Sequence, residues 1–299
     1  MLFVVAFLPA RITTGCPSWA AIFPIRGSQF SVCFTARGSC TMRERSNLAM
    51  LSWTGTVRQN MRSSVKNQIL AQISPPELAA LGEFLEPVVL RERMVLQETK
   101  RPLDHIYFVE SGLVSLRIVA AGSILETAVI GHRGAVGASL LFGGHLSTHQ
   151  SVVLFPGRAH KIRVGDLRRM MRDFPDIREH LCQYVRALNL HSAQTGLCGV
   201  RHDREKRLAC WLCLSSDAVD AFVLPVTHDY LSSVLALRRA GVTETLIRFE
   251  EQGLIRKMRG VLQIDDRMRL EQKACSCYKL ISGAYASSDP GASQHESMG

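Results

Sequence analysis

Five basic side chains lie in two short groups in the last third of the sequence. Arg238 and Arg239 are adjacent, and Arg256, Lys257 and Arg259 form a second group further along the chain. A guanidinium group can donate two hydrogen bonds to the edge of a guanine, and any of these cations can pair with a phosphate. If these residues bind DNA, the neighbouring elements must bring the first group into a DNA groove and the second group beside the DNA backbone.

The segment 224–264 predicts such elements. Thr227 and Asp229 are residue types favoured at the start of a helix, and Gly253 is favoured at the end of a second helix. Two short extended runs follow, joined around Gly260, which indicates a β-hairpin. Helix, tight turn, helix and hairpin make a winged helix-turn-helix, whose second helix can enter the major groove. The alternative is an ordinary helical hairpin.

We predict that the DNA contacts come from the first cap, the second helix and the wing: Thr227, Arg238, Arg239, Thr243, Glu244, Arg256, Lys257 and Arg259. The turn between the helices should fall at Ala236, where many helix-turn-helix proteins have glycine. An alanine there would adopt a left-handed conformation at some steric cost.

This stretch resembles the DNA-binding domain of the cyclic AMP receptor protein and fumarate-nitrate regulator (Crp/Fnr) family of bacterial transcription regulators. The resemblance extends over about residues 70–278. It implies an α+β fold with an N-terminal cyclic-nucleotide-binding-like β-roll (jelly roll), a long dimerisation helix and a C-terminal winged helix-turn-helix. It also implies a homodimer on a two-fold site in double-stranded DNA, with RNA polymerase as a further partner.

Within that family, an arginine near the start of the recognition helix is followed by a glutamate and a second arginine. Arg239 matches the first position, while Ala240 and Glu244 replace the other two. We therefore expect an operator that differs from the cyclic AMP receptor site.

Residues 63–173 contain short apolar runs separated by glycines, which is typical of a β-roll. By resemblance, the candidate effector pocket consists of Gly137, Ala138, Ser139, Gln150 and Ser151. Ala138 and Gln150 stand where cyclic nucleotide binders of the family have glutamate and arginine. A buried phosphate without its cation is poorly compensated, so we predict no cyclic AMP binding, unless Arg133 or His149 substitutes. The effector is unknown, and the roll can instead serve only to support the dimer.

Residues 174–200 are predicted to form the dimerisation helix. Ile177, Leu181, Tyr184 and Leu188 follow the 4-3-4 spacing of a coiled-coil seam. The alternative is a helix that packs only on its own β-roll. Residues 201–278 then form the DNA-binding domain.

The two ends of the chain lack recognisable structure. Residues 1–66 contribute +7 of the net charge of +10, so bulk charge is not an argument for DNA binding by the rest of the chain. The opening apolar run is shorter than a membrane span and has no basic residue before it. We expect residues 1–62 to be a disordered or untranslated extension, 279–299 to be a disordered tail, and the protein to be cytoplasmic, without membrane contact.

We find no nucleophile motif, phosphate loop or metal triad, so the sequence does not predict an enzyme. Cys210 and Cys213 resemble packing residues, and Cys275 and Cys277 have no second pair at zinc spacing. No cofactor and no metal site are therefore predicted. The leading hypothesis is a dimeric, sequence-specific transcription regulator. The alternatives are a small-molecule or redox sensor that signals through a protein partner, and an enzyme on a cupin-like roll.

Overall fold

The computed structural model describes residues 20–25, 28–34, 40–41, 65–120, 122–143 and 145–287. The chain divides into two compact units, residues 1–59 and residues 60–299. The larger unit carries the β-roll, the long helix and the winged helix-turn-helix in the predicted order. Among the described residues, no helix is both long and apolar enough to cross a membrane.

The first unit contains a small antiparallel sheet. Its strands, in sheet order, are β1 (Ala20–Ile25), β2 (Ser28–Phe34) and β3 (Cys40–Thr41). The prediction of disorder for residues 1–62 differs from the structure at these strands. Apolar residues alternate with polar ones along 28–34, and that short period-2 pattern favours a strand. The rest of this segment lies outside the described residues.

The β-roll begins with two short helices, α1 (Gln68–Gln72) and α2 (Pro75–Gly82). Its strands are β4 (Glu86–Leu90), β5 (Val95–Gln97), β6 (His105–Ala120), β7 (Ser123–Ile130), β8 (Ala135–Val136) and β9 (Gln150–Arg163), with a 3-10 helix at Ala138–Phe142. The main sheet is antiparallel with the order β4-β9-β6-β7, while β5 pairs with β9 and β8 pairs with β6.

The long strands β6 and β9 bend where two glycines bring their backbones close together. A Cβ atom on Gly112 would lie 2.6 Å from the Phe155 carbonyl oxygen, and one on Gly157 would lie 2.0 Å from the Ser111 carbonyl oxygen. Any larger residue would force the strands apart. The register of the pair also shifts on both sides of Ser111, which is the mark of bulges that curve the sheet into a roll.

Three helices follow the roll: α3 (Val164–Asp173), α4 (Pro175–Arg201) and α5 (Arg204–Val219). Pro175 suits the first turn of α4 because that turn has no partner for a backbone N–H. Asp203 caps α5 by accepting a hydrogen bond from the Lys206 N–H at 2.9 Å.

The predicted dimer seam is instead the face of α4 that packs on its own chain. Ile177, Leu181 and Tyr184 are buried in one cluster with α1, α2 and the roll, and Leu188 packs half-buried against the same cluster. The Tyr184 hydroxyl donates to the Ala135 carbonyl oxygen at 3.0 Å. Ile177, Leu181 and Tyr184 are therefore not available to a partner helix, and Leu188 is covered in part. The 4-3-4 apolar spacing does not distinguish a partner helix from the chain's own roll.

The C-terminal domain contains, after α5, the elements β10 (Val223–Leu224), α6 (His228–Val234), α7 (Arg239–Glu251), β11 (Ile255–Met258), β12 (Val261–Ile264), α8 (Arg267–Lys273) and α9 (Ser276–Ala286). Its sheet has the order β10-β12-β11. The core combines the inner faces of α5, α6 and α7 with those of the wing strands.

Helix α9 continues past the predicted end of structure at residue 278. Tyr278 and Ile281 are buried at helical spacing, and Tyr285 packs against the core. The prediction of a disordered tail from residue 279 is therefore wrong for 279–286. Residues 288–299 lie outside the described part of the chain.

Candidate nucleic-acid interface

The two helices α6 and α7 are joined by a tight turn with the predicted geometry. Thr227 caps α6 by accepting a hydrogen bond from the Tyr230 N–H at 3.2 Å. After α6, Ala236 adopts a left-handed conformation with φ +48°. The Leu237 N–H donates to the Ser232 carbonyl oxygen at 2.9 Å, which closes the turn. The expected position of the turn is thus present in the structure.

Helix α7 has one face packed on the core and one face open. Val242, Leu246 and Phe249 are fully buried against the core of the domain. The opposite face carries exposed residues in the first two turns, including Arg239 and Ala240. Burial of the first face therefore determines which side chains the helix presents to a ligand.

The basic residues at the start of α7 differ in their partners. Arg238 is the N-cap residue and is exposed. Arg239 forms an ion pair with Asp229 of α6. Thr243 Oγ1 lies 3.0 Å from His228 Nδ1. Within the described part of the chain, Arg238 is in no ion pair, so its guanidinium is the less constrained of the two.

Glu244 is paired by arginines that the sequence analysis did not single out. Arg204 donates to Glu244 at 2.7 Å, and Arg248 lies 3.9 Å from the same carboxylate. Arg204 also lies against Gly241, where an added Cβ would be 3.1 Å from its Nη1. These pairs partly neutralise an acidic side chain on the exposed face, which would otherwise repel phosphate.

The wing basic residues have distinct roles. Lys257 pairs with Glu250 at 2.8 Å, and its backbone N–H donates to the same carboxylate, so the wing is joined to α7. This hydrogen-bonded lysine lowers the pKa of Glu250. Arg256 pairs with Asp265 at 3.3 Å. Arg259 is exposed beside Gly260 at the hairpin tip, the place from which a side chain can reach phosphate.

The predicted effector pocket comes together around Gln97. The Gln97 amide nitrogen lies 2.4 Å from where a Cβ on Gly137 would be, and Gln97 pairs with Ser151 across the sheet. Ala138 is buried, whereas Ser139 is partly exposed. Gln150 donates to both carboxylate oxygens of Glu98 at 3.1 Å. Gln150, which stands at the position predicted for the family's arginine, is thus bound to an acid.

Comparison with known proteins agrees with this architecture. The family model of the Crp-like helix-turn-helix domain matches residues 206–273, which include α6, the turn, α7 and the wing. Many solved structures with the same fold are Crp/Fnr regulators, and the chain spans nearly their whole length.

Residues 206–273 are thus a Crp-like helix-turn-helix domain, and the larger unit has the fold of Crp/Fnr regulators.

Three such structures illustrate the likeness. FixK2 from Bradyrhizobium japonicum is 16% identical with a TM-score of 0.56, over 64% of this chain and 98% of FixK2. A putative transcriptional regulator of the family from Eubacterium rectale is 15% identical with a TM-score of 0.54, over 69% and 97%. The regulator TTHA1359 from Thermus thermophilus is 22% identical with a TM-score of 0.51, over 63% and 98%. No curated protein sequence matches the chain.

A buried carboxylate joins the roll to the Crp-like helix-turn-helix domain. Glu126 of β7 is buried and accepts hydrogen bonds from Trp211 Nε1 at 2.5 Å, from the Tyr230 hydroxyl at 2.7 Å and from the Ser115 hydroxyl. Burial raises the pKa of Glu126, and the three donors and nearby Arg117 oppose that shift. No local sequence pattern predicts this contact, although an acid inside the apolar run of β7 is a signal for it.

The left-handed turn predicts the effect of a glycine at Ala236. Ala236→Gly should leave the free energy of unfolding unchanged or raise it by up to about 1 kcal/mol, because glycine removes the steric cost of a positive φ. Urea unfolding measures this free energy. Ala240→Gly is the control, because residue 240 has an ordinary helical conformation and glycine there should lower the free energy of unfolding. A clear loss of stability at position 236 would contradict the turn.

The Glu126 contact predicts a pH dependence. Because the folded-state pKa of Glu126 is raised above its ordinary value of 4.5, the folded protein holds a proton that the unfolded chain releases. Stability from this group is complete below pH 4.5 and is lost as the pH rises through the raised pKa. Glu126→Gln cannot ionise, yet keeps an oxygen that accepts from Trp211, and its amide N–H can donate to the Tyr230 hydroxyl, which would then accept.

Urea unfolding at a series of pH values should therefore show a flatter profile for Glu126→Gln than for the parent protein. Glu126→Ala should instead lose about 1–3 kcal/mol at every pH, since buried donors stay unpaired. Parallel profiles for the parent protein and the glutamine variant would show that Glu126 does not titrate with folding.

Proposed function

We propose that the protein is a transcription regulator that binds a two-fold DNA operator as a homodimer, and that its β-roll does not bind cyclic AMP. The observation that carries the proposal is α7. Its inner face is fixed in the core, while Arg238 and Arg239 stand exposed at its N-terminal end, where helix-turn-helix proteins contact bases. RNA polymerase is the further partner that we expect of such a regulator.

Base reading is assigned to Arg239 rather than to the wing. Its ion pair with Asp229 is exposed on both sides, and exposed pairs contribute at most about 1 kcal/mol, so DNA can displace the carboxylate. Arg259 at the wing tip is placed to contact phosphate, which carries no sequence information. The two arginines should therefore affect binding in different ways.

The absence of cyclic AMP binding is supported by Glu98. In a buried phosphate site, a cation must balance the ligand charge. Here Gln150 is hydrogen-bonded to Glu98, which adds negative charge where the phosphate would lie. The hydroxyl of Ser151 is buried without a hydrogen-bond partner among the described residues, so the roll retains one polar group for another ligand.

The dimer contact is assigned to the exposed face of α4. Cys182, Arg186, Asn189 and Ala193 follow one another along this face at 4-3-4 spacing. Leu197 and Val200 continue it, with exposed fractions of 47% and 83%. Large apolar side chains that remain this exposed on a long helix favour a protein partner, and a second copy of the same helix would bury them.

Arg239→Ala should relax base discrimination at one position of each half-site. Loss of a bidentate contact removes about 1–3 kcal/mol of discrimination at that base pair. DNA titration against the operator, its single-base variants and random DNA measures the effect. Arg259→Ala is the matched control. Loss of a phosphate contact should weaken binding to all sequences equally and reduce the slope of log affinity against log salt concentration by about one. Equal weakening of all sequences by Arg239→Ala would contradict the assignment.

Leu197→Asp should split the dimer while each chain stays folded, because it puts charges into the proposed contact. Operator affinity should then fall by about 10²-fold or more, since the two half-sites are no longer bound by one dimer. Sedimentation and DNA titration measure both effects. Leu181→Asp is the contrasting variant, because a charge in the intrachain core should unfold the roll. A Leu197→Asp protein that remains dimeric would exclude this face as the interface.

A further inference from the structure

Three thiols and one imidazole converge where the long helix α4 ends. Cys198 lies in its last turn, His202 follows it, and Cys275 and Cys277 lie at the start of α9. Their candidate ligand atoms all lie within 4.8 Å of one another. Cys198 Sγ is 3.4 Å from Cys275 Sγ, and Cys277 Sγ is 3.6 Å from His202 Nδ1.

These distances suit a tetrahedral metal ion. With zinc–sulfur bonds of about 2.3 Å and zinc–nitrogen bonds of about 2.0–2.1 Å, neighbouring ligand atoms are about 3.5–3.8 Å apart. The two measured separations are close to that range. The three cysteines are buried and His202 is partly exposed, so the cluster excludes water but remains open to an entering ion on the histidine side.

The ligands come in two pairs that the sequence separates widely. Cys198 and His202 are four residues apart at the end of one helix, and Cys275 and Cys277 are two residues apart at the start of α9. Cys198 and Cys275 are 77 positions apart along the chain. The set therefore has no second cysteine pair and combines one Cys-x3-His pair with one Cys-x-Cys pair.

We propose that Cys198, His202, Cys275 and Cys277 bind one zinc ion. Three thiolates and an imidazole are a donor set of structural zinc sites, and soft sulfur donors favour zinc over magnesium or calcium. On binding, the three thiols release three protons to solvent and His202 coordinates as the neutral imidazole. The bound cluster then carries a net charge of −1, with no change in oxidation state.

Neighbouring groups suit that charge. Arg207 lines the same cavity as Cys198 and Cys277, and its Nη2 is 3.9 Å from where a Cβ on Gly199 would be. The Cys210 thiol lines that cavity too. A cation and a thiol donor beside the thiolates would stabilise the metal-bound form, as surrounding groups do in other zinc sites.

The zinc ion would fix the short link at residues 202–203 between α4 and α5. Cys198 and His202 flank the segment 199–201 immediately before α5, whereas Cys275 and Cys277 belong to the helices after the wing. Arg207 in the same cavity donates a hydrogen bond to the Leu235 carbonyl oxygen at the end of α6. The site lies apart from the DNA-contacting face of α7, so its test does not depend on DNA binding.

The first experiment measures zinc in the full chain, purified under reducing conditions without chelator. We expect about one zinc per chain for the parent protein and a loss of most of it in Cys275→Ser and Cys277→Ser. Cys213→Ser is the matched control, because Cys213 is equally buried in the same domain but bonds to Arg267 outside the cluster. It should retain the zinc. Zinc loss from Cys213→Ser to the same extent as from the ligand variants would overturn the assignment.

The second experiment needs no variant that risks misfolding. Cobalt added to the reduced, metal-free parent protein should give thiolate charge-transfer and tetrahedral bands, and should protect three thiols from alkylation. His202→Ala, at a partly exposed position, should bind at least about tenfold more weakly while the chain stays folded. A parent protein that shows no such bands, or that holds a Cys198–Cys275 disulfide under reducing conditions, would overturn the proposal.

Discussion

The buried carboxylate of Glu126 constrains the rest of the structure. A carboxylate removed from water needs hydrogen-bond donors, and here they come from three different elements: Ser115 of β6, Trp211 of α5 and Tyr230 of α6. If any of these elements moves, a buried polar group loses its partner, at about 1–3 kcal/mol. The contact therefore sets the position of the first helix of the helix-turn-helix against the roll. Through the tight turn at Ala236 it also sets the position of α7.

The long helix α4 packs against both the β-roll and the C-terminal domain of the larger unit. The roll covers its first half, and α9 returns from the end of the DNA-binding domain to cover part of its second half. There His191 Nδ1 lies 3.1 Å from the Tyr285 hydroxyl, and burial lowers the pKa of His191 to about 4. His191 is therefore neutral at physiological pH, and its imidazole can accept a hydrogen bond from the Tyr285 hydroxyl. The proposed zinc cluster follows about two helical turns later. The contact with α9 and the proposed zinc site, which both hold the C-terminal domain, thus lie along one helix.

Local elements followed from the sequence because each depends on nearby residues. The cap at Thr227, the turn at Ala236 and the wing hairpin at Gly260 need only a few neighbours, and all three are present. What the sequence could not give was the partner of each buried surface. The stripe from Ile177 to Leu188 has the same spacing whether a second helix or the chain's own roll covers it.

The same limit applied to the sites. Cys198 and Cys275 are 77 positions apart, and Trp211 and Glu126 are 85 apart, so neither contact has a local pattern. The proposed pocket residues Gly137 and Ser151 were grouped by resemblance, and the sheet register does bring them together around Gln97. The resemblance could not show that Glu98 would bind Gln150, since that pair depends on two strands of this particular chain.

The energies of these contacts indicate which can change when DNA binds. The pairs on the side proposed to face DNA, Arg239 with Asp229 and Arg204 with Glu244, are exposed and contribute at most about 1 kcal/mol each. Phosphates and bases can replace those partners without disturbing the core. The Glu126 contact is buried and couples three elements, so it resists any movement of α6 relative to the roll. We therefore expect a signal that repositions the DNA-binding domain to act on Glu126 or on the link between α4 and α5, rather than on the arginines proposed to contact DNA.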